Sequence, residues 1–339
     1  MSPDQAAAHL AEIAYLLRHK GDGHRARAFT RVASLLVRER PDLDALRRTD
    51  RLGTLEGVGA GIARTLAELI DTGRSPYLER LRDEVAQAHP GAAEPGETSP
   101  LVQSGYRGDL HSHTDWSDGR TGVLEMARAA QARGYRYLGI TDHSPRITVV
   151  NGLGPERLAA QRRLIDDANR ELDGITILQG VEVDINEDGS LDEPDEALAA
   201  LDLVIASPHV KLKMERSAMT ERMLRAVEHP HVDVIGHPTG RRPGSRPGAE
   251  YDFEAVFRRA AELGVVLEID CDPARMDLSP ELTQLAASVG CRFSLDSDAH
   301  APDQLLYVDL AVWIARRAGV GNDRIVNWLE LDALREVLR

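Results

Sequence analysis

The sequence predicts an α/β protein: a distorted barrel of seven parallel βα units, preceded by a small all-α region. Three observations carry that expectation. From residue 107 onward short apolar runs alternate with amphipathic helical stretches, side chains of metal-binding type stand at the ends of most runs, and residues 1–84 show helical periodicity with no strand pattern. Repeated βα alternation implies a parallel sheet, and a barrel collects whatever follows each strand at one face.

The N-terminal region reads as helices. Apolar positions recur at helical spacing in AAAHLAEIAYLLRHK and RARAFTRVASLLVRER, Gly21 and Gly23 break the chain between them, and Pro41 stops the second helix. Residues 52–82 follow, in which Gly57, Val58, Gly59 and Gly61 lead into a further helix; such a turn frees backbone N–H groups at a helix N-terminus, where the dipole favours phosphate. A dinucleotide fingerprint would need a strand before the glycines, and none is present. Residues 85–106 contain HPGAAEPGETSP and read as a linker to a second domain, 107–339.

The seven expected strands are 107–112, 136–141, 175–184, 202–208, 232–236, 265–270 and 291–296. Between them lie helical stretches such as GVLEMARAAQARG and FEAVFRRAAELG. Nine candidate metal ligands fall at the strand ends: His111, His113, Asp118, His143, Glu182, His209, His237, Asp298 and His300. His9, His19, His24, His89, His229 and His231 lie outside these strings and are read as solvated or structural. Imidazoles suit Zn, Mn and Fe, and carboxylates bridge ions, so six His with three acids suffice for two or three divalent metals. Bridged metals supply hydroxide at neutral pH and clamp the oxygens of an in-line displacement at phosphorus, which makes phosphoester hydrolysis the expected chemistry, with no separate general base. Strand six also offers Glu268, Asp270, Asp272 and Arg275. Arg241, Arg275, Lys211 and Lys213 follow strand ends and are candidate contacts to substrate phosphate, with a salt bridge to nearby acids as the alternative for Arg275.

Composition frames these motifs. A chain of 339 residues with 42% hydrophobic content can bury a large core. No apolar run is long enough to span a bilayer and the N-terminus lacks a signal-peptide pattern, so a cytoplasmic protein without membrane contact is expected. The two cysteines, Cys271 and Cys291, form neither a CxxC motif nor a disulfide framework, and Cys271 is read as a small buried residue. Residues 1–90 carry 14 Lys and Arg against 13 Asp and Glu, so the net charge of −14 lies in the remainder, the part expected to gain cations. Arg25, Arg27, Arg31, Arg38, Arg40, Arg47, Arg48 and Arg51 cluster in the helical region, either facing phosphates or as a solvated surface.

The strings HSH, TDH, GVE, the two later strand-end histidines and DAH resemble the polymerase and histidinol phosphatase (PHP) superfamily. GHPTGR, DPARMDL and DSDAH, behind a helical region with a Gly57-Val58-Gly59 turn, are similar to the C-terminal part of bacterial family X DNA polymerases. The resemblance implies a (β/α)7 barrel with a trinuclear metal centre, in which His111, His113, Glu182 and Asp298 help hold one metal or a bridged pair. His143, His209, His237, Asp118 and His300 would complete it. The resemblance further implies a helix-hairpin-helix that grips the DNA backbone through Gly57, Val58, Gly59 and Gly61, with Arg31 nearby. Only the linker stands where such a polymerase has its palm, so polymerase activity is not expected. Thr65 occupies the place of the lyase lysine, and the three lysines are Lys20, Lys211 and Lys213, so Schiff-base chemistry is not expected either. The leading expectation is a DNA phosphodiesterase, as a 3′-to-5′ exonuclease or 3′-end processing enzyme in DNA repair. A small-molecule phosphomonoesterase of the histidinol phosphatase kind and a non-catalytic DNA-binding adaptor are the alternatives.

Overall fold

A computed structural model describes residues 1–88 and 105–338. The chain opens with α1 (Pro3–His19), started by a capping box in which the Ser2 side chain and Gln5 satisfy each other's backbone N–H groups. Asp22 caps α2 (Gly23–Glu39), which ends as Arg40 turns left-handed ahead of Pro41. Then come α3 (Leu43–Arg48), the glycine turn, α4 (Ala60–Thr72) and α5 (Pro76–Ala88). The last of these runs four residues into the segment read as linker; residues 89–104 of that segment, with His89, lie outside the described residues. Helix α1 is buried nearly all round, Ala6 to Leu17, because α2 covers one face and a barrel helix covers another.

The seven strands follow in chain order: β1 (Gly108–Asp109), β2 (Tyr137–Ile140), β3 (Thr176–Asp184), β4 (Leu203–Ser207), β5 (Val234–Ile235), β6 (Val266–Asp270) and β7 (Phe293–Asp296). Each pairs in parallel with the next, in the order β1-β2-β3-β4-β5-β6-β7, so every expected strand forms, several of them shorter than expected. The helices between are α6 (Val123–Ala132), α7 (Pro155–Glu171), α8 (Asp195–Leu198), α9 (Arg216–Val227), α10 (Phe253–Leu263) and α11 (Pro280–Ser288); after β7 come α12 (Tyr307–Arg317) and α13 (Leu331–Val337). One apolar cluster lies between the strands and these helices and extends without a break into α1 and α2. A second joins Leu110, Tyr137, Leu178, Leu203, Ile205, Val234 and Val266 to Val326, Leu334 and Leu338, so the strands' other face is filled and the C-terminal segment packs onto it.

The ring nearly closes between β1 and β7. A single parallel bridge, Ser112 to Ala299, joins their extensions. Below it carboxylates replace the ladder: Asp296 accepts from the Leu110 N–H at 2.8 Å, and Asp109 accepts from the Ser297 N–H at 3.2 Å. Both acids are fully buried, and burial raises both pKa values; Asp296 adds to the rise at Asp109, whereas hydrogen bonds from Ser294, Leu110 and Asn327 work against it at Asp296. On β2 the fit is tight enough to require glycine: a Cβ on Gly139 would stand 2.4 Å from the Leu110 carbonyl oxygen. Both cysteines are free and buried, and among the described residues no helix is long and apolar enough to cross a membrane.

Candidate metal centre

Because each strand of a parallel barrel delivers its C-terminal end to the same face, side chains far apart in sequence converge there. All nine strand-end residues meet. Glu182, near the end of β3, lies at the middle of the group. Its Oε1 is 2.7 Å from His237 Nε2 and 3.1 Å from His209 Nε2, and its Oε2 is 2.9 Å from His143 Nδ1, 3.4 Å from His111 Nε2 and 3.6 Å from His113 Nε2. Asp298 stands 3.0 Å from His113 Nε2, and Asp118 lies 3.4 Å from His300 Nε2 and 3.7 Å from His143 Nε2. Three overlapping sets have donor atoms within 4.8 Å of one another: His113, Asp118, His143 and His300; His111, His113 and Asp298; and His143, Glu182 and His209. His237 belongs to none of the three and touches the group through Glu182.

These residues fit divalent cations on grounds internal to the site. His111 Nε2, His113 Nδ1, His143 Nδ1, His209 Nε2, His237 Nδ1 and Glu182 Oε2 are all buried without a hydrogen-bond partner among the described residues. So many unsatisfied lone pairs in one place are costly unless something cationic fills the space between them. Several imidazoles are held from behind, as metal ligands are. Glu268 Oε1 lies 2.6 Å from His111 Nδ1, Asp184 Oδ1 lies 3.2 Å from His209 Nδ1, and the Asp298 carbonyl lies 2.8 Å from His300 Nδ1. Each contact leaves the other ring nitrogen facing inward.

The electrostatics divide the imidazoles: burial works to lower His111, His209 and His300, but the carboxylates beside them outweigh it, raising His111 well above its ordinary value and the other two to about 9. Burial, reinforced by neighbouring positive groups, pushes His113 and His237 down to about 3, so both are neutral with lone pairs available. Burial works to raise Glu182, but His209, His143, His111 and His237 outweigh it and hold the carboxyl well below its usual range. The backbone is strained at two of the nine positions, His237 at φ 24° and Asp298 at φ 51°, a left-handed region that non-glycine residues avoid unless the surroundings impose it.

Other sequence candidates fare differently. Arg275 is buried, with Nε 3.3 Å from Asp298 and 3.4 Å from Asp270, so the alternative salt bridge holds and its charge is directed at acids of the protein. Arg241 donates from Nε to the Met276 carbonyl at 3.0 Å, bracing the loop after β5. Lys211 and Lys213 are exposed beyond His209 and pair with no acid among the described residues. In the helical region Gly57, Gly59 and Gly61 are exposed, and Gly57 has φ 76°, the conformation the turn requires. Gly59 caps α4 without any side-chain bond, leaving the helix's first N–H groups open. The Val58 side chain, by contrast, is buried and anchors the turn, so only its backbone can face a ligand. Thr65 is buried and donates to the Gly61 carbonyl at 3.1 Å. Arg31 is exposed alongside Gly57, and the glycine turn borders a cavity of about 560 Å³ that Arg25, Arg64 and Arg80 also line.

Sequence reasoning left Glu268, Asp184 and Asp142 without a role. Glu268 also accepts the His237 N–H, and Asp142 accepts from the Thr114 N–H, the Thr114 hydroxyl and Gln161, tying down the loop that carries Asp118. The available signal was their place beside the ligands, within TDH, EVD and LEID.

A barrel of this kind, with buried carboxylates and imidazoles converging at the strand ends, defines a metal-dependent phosphoesterase. Residues 109–308 match the PHP domain model, and the chain belongs to the PHP family. It is 39% identical over 240 residues to the DNA polymerase/3′-5′ exonuclease PolX of Bacillus subtilis, an alignment covering 70% of this chain and 42% of that protein. The chain therefore spans less than half the length of that relative. A probable phosphatase of Thermoanaerobacter sp. is 30% identical over 243 residues, covering 68% of this chain and 94% of its own. Among solved structures, a histidinol phosphate phosphatase from Lactococcus lactis, complexed with Zn, L-histidinol and phosphate, aligns at a TM-score of 0.46 and 17% identity over 64% of this chain and 95% of its own.

Proposed function

We propose that the protein hydrolyses phosphoester bonds of DNA, as a 3′-to-5′ exonuclease or 3′-end processing enzyme. The observation that carries the DNA part is the turn at Gly57–Gly61: exposed glycines before an uncapped helix N-terminus, flanked by Arg31, on the same chain as the ligand cluster. The 39% identity with a polymerase and exonuclease supports it. His111, His113, Asp118, His143, Glu182, His209, His237, Asp298 and His300 would hold two or three ions of Mn, Zn or Fe. When bound, such ions supply Lewis acidity and make a water nucleophilic at neutral pH. The chain's own contributions are positional. Glu268 and Asp184 orient His111 and His209, Asp142 fixes the Asp118 loop, and Arg275 offsets the charge of Asp298 and Asp270. Of the four phosphate candidates, Lys211 and Lys213 have no acidic partner among the described residues and can meet a phosphate at the rim, whereas Arg241 and Arg275 are engaged with the protein.

A small-molecule phosphomonoesterase is the second reading, favoured by the probable phosphatase whose length is almost fully covered by this chain's match. The two separate on a substrate panel: 3′-recessed and gapped DNA against phosphomonoesters including histidinol phosphate, with His113→Ala as the blank. Faster turnover of the DNA ends is expected. Turnover of the monoesters with DNA untouched would reverse the assignment.

A further inference from the structure

The helical region is seated at the mouth of the barrel, on the β7 side. Arg38 lies 3.8 Å from Asp303 on the turn after β7, Tyr307 at the start of α12 and Ser34 of α2 line one groove, and a Cβ on Gly244, in the loop after β5, would stand 3.1 Å from the Arg18 carbonyl. Between α2 and the barrel this leaves a groove of about 390 Å³. Its walls carry Arg18, Arg27, Arg31, Arg38 and Arg120 against two acids, Glu56 and Asp303. Asp303 is shared with Arg38, while the exposed side chains of Arg27, Arg31 and Arg120 have no acidic partner among the described residues. In a chain of net charge −14 this is a local reversal of sign. One wall of the groove adjoins the ligand cluster: Arg120 is two residues from Asp118, and its N–H donates to the His300 carbonyl at 2.8 Å.

We propose that this groove is a single-strand track, along which one polynucleotide strand passes Arg27 and Arg31 and then Arg120 to reach the Asp118 and His300 side of the cluster. The volume suits one strand, since a space of this size holds a small molecule's worth of atoms and no duplex. Guanidiniums without acidic partners among the described residues, gathered on one groove, give the backbone-facing charge that sequence-independent strand binding needs. The inference rests on the DNA reading above and adds which strand form is held and by which residues.

The test uses full-length protein and a labelled, hydrolysis-resistant single-stranded oligonucleotide, with affinity followed by fluorescence anisotropy between 50 and 200 mM salt, roughly the range over which such binding responds. Arg27→Glu/Arg31→Glu and Arg120→Glu are each expected to weaken binding at least about ten-fold and to flatten the salt dependence by about 0.7 in log–log slope per arginine removed. Arg292→Glu, the same charge change as Arg120→Glu but at the opposite end of β7, is expected to leave affinity unchanged, and melting curves verify that all variants fold. Groove variants that behave like Arg292→Glu, or wild-type protein that binds no single strand, would overturn the proposal. Cleavage of 3′-recessed DNA decides the underlying reading separately. Turnover with no groove dependence removes the track and keeps the nuclease; groove-dependent binding without turnover keeps the track and removes the nuclease.

Discussion

Glu268 shows how a residue outside the ligand set sets the site's properties. Its Oε1 holds His111 Nδ1 and its Oε2 accepts the His237 N–H at 2.5 Å, so one carboxylate positions two imidazoles. Glu268→Gln keeps one acceptor, sets an NH2 donor where the other oxygen stood, and removes the charge that makes His111 a stronger ligand. Metal affinity is expected to fall about 10- to 100-fold, measured by competition with a chelator; unchanged affinity would remove Glu268 from the site. Glu193 makes a different case. It is buried, neither carboxylate oxygen has a hydrogen-bond partner among the described residues, and burial, with Asp192 beside it, pushes its pKa up to about 7. The folded pKa lies above the unfolded one, so its neutral form is the stable one. Stability is complete below pH ~4.5 and is lost as pH rises to about 7. Glu193→Gln should therefore match wild type at pH ~4.5 and be about 1–2 kcal/mol more stable at pH ~8 by denaturant titration. An equal gain at both pH values would show that charge is not the cause.

At the scale of elements, the seam between β1 and β7 distinguishes this barrel from a continuous ladder. Asp296 accepts from the Leu110 N–H at 2.8 Å and from Asn327 Nδ2 at 2.9 Å, and Asn327 in turn donates to the Gly108 carbonyl and accepts the Leu295 N–H. Strand pairing is replaced here by a small buried polar network that also fixes the C-terminal segment. Asp296→Ala leaves two buried donors unsatisfied and is expected to cost about 2–4 kcal/mol. Asp296→Asn retains one acceptor and should cost less; equal effects would argue that packing, not hydrogen bonding, closes the ring.

At the scale of the whole molecule, residues 1–88 and the barrel bury a shared core. Helix α1 packs on α2 and on α12, where Val308 and Val312 are buried, and one apolar cluster runs through all three. Removing residues 1–88 would expose that face of α12 to water. The truncated barrel is expected to melt at a lower temperature than the full chain, which should itself unfold in one cooperative transition. Equal melting temperatures would mean that the two parts are energetically independent, as a simple linker between them would suggest.

All seven strands and all nine converging side chains were legible in the sequence, because each depends on local pattern: apolar runs of strand length, helical periodicity between them, and a ligand-type residue where a parallel strand ends. The N-terminal helices and the glycine turn were legible for the same reason. Tertiary structure alone decided which strand ends lie side by side, and with that the remaining roles. Arg275 meets Asp298 because β6 and β7 are neighbours, Glu268 reaches both His111 and His237 from across the mouth, and Val58 turns inward beneath its turn. The placement of α2 against the β7 side, which brings its arginines to one groove with Arg120, is likewise a product of packing between distant segments. Sequence patterns report what a residue prefers locally; charge partners and grooves exist only once distant surfaces have been brought together.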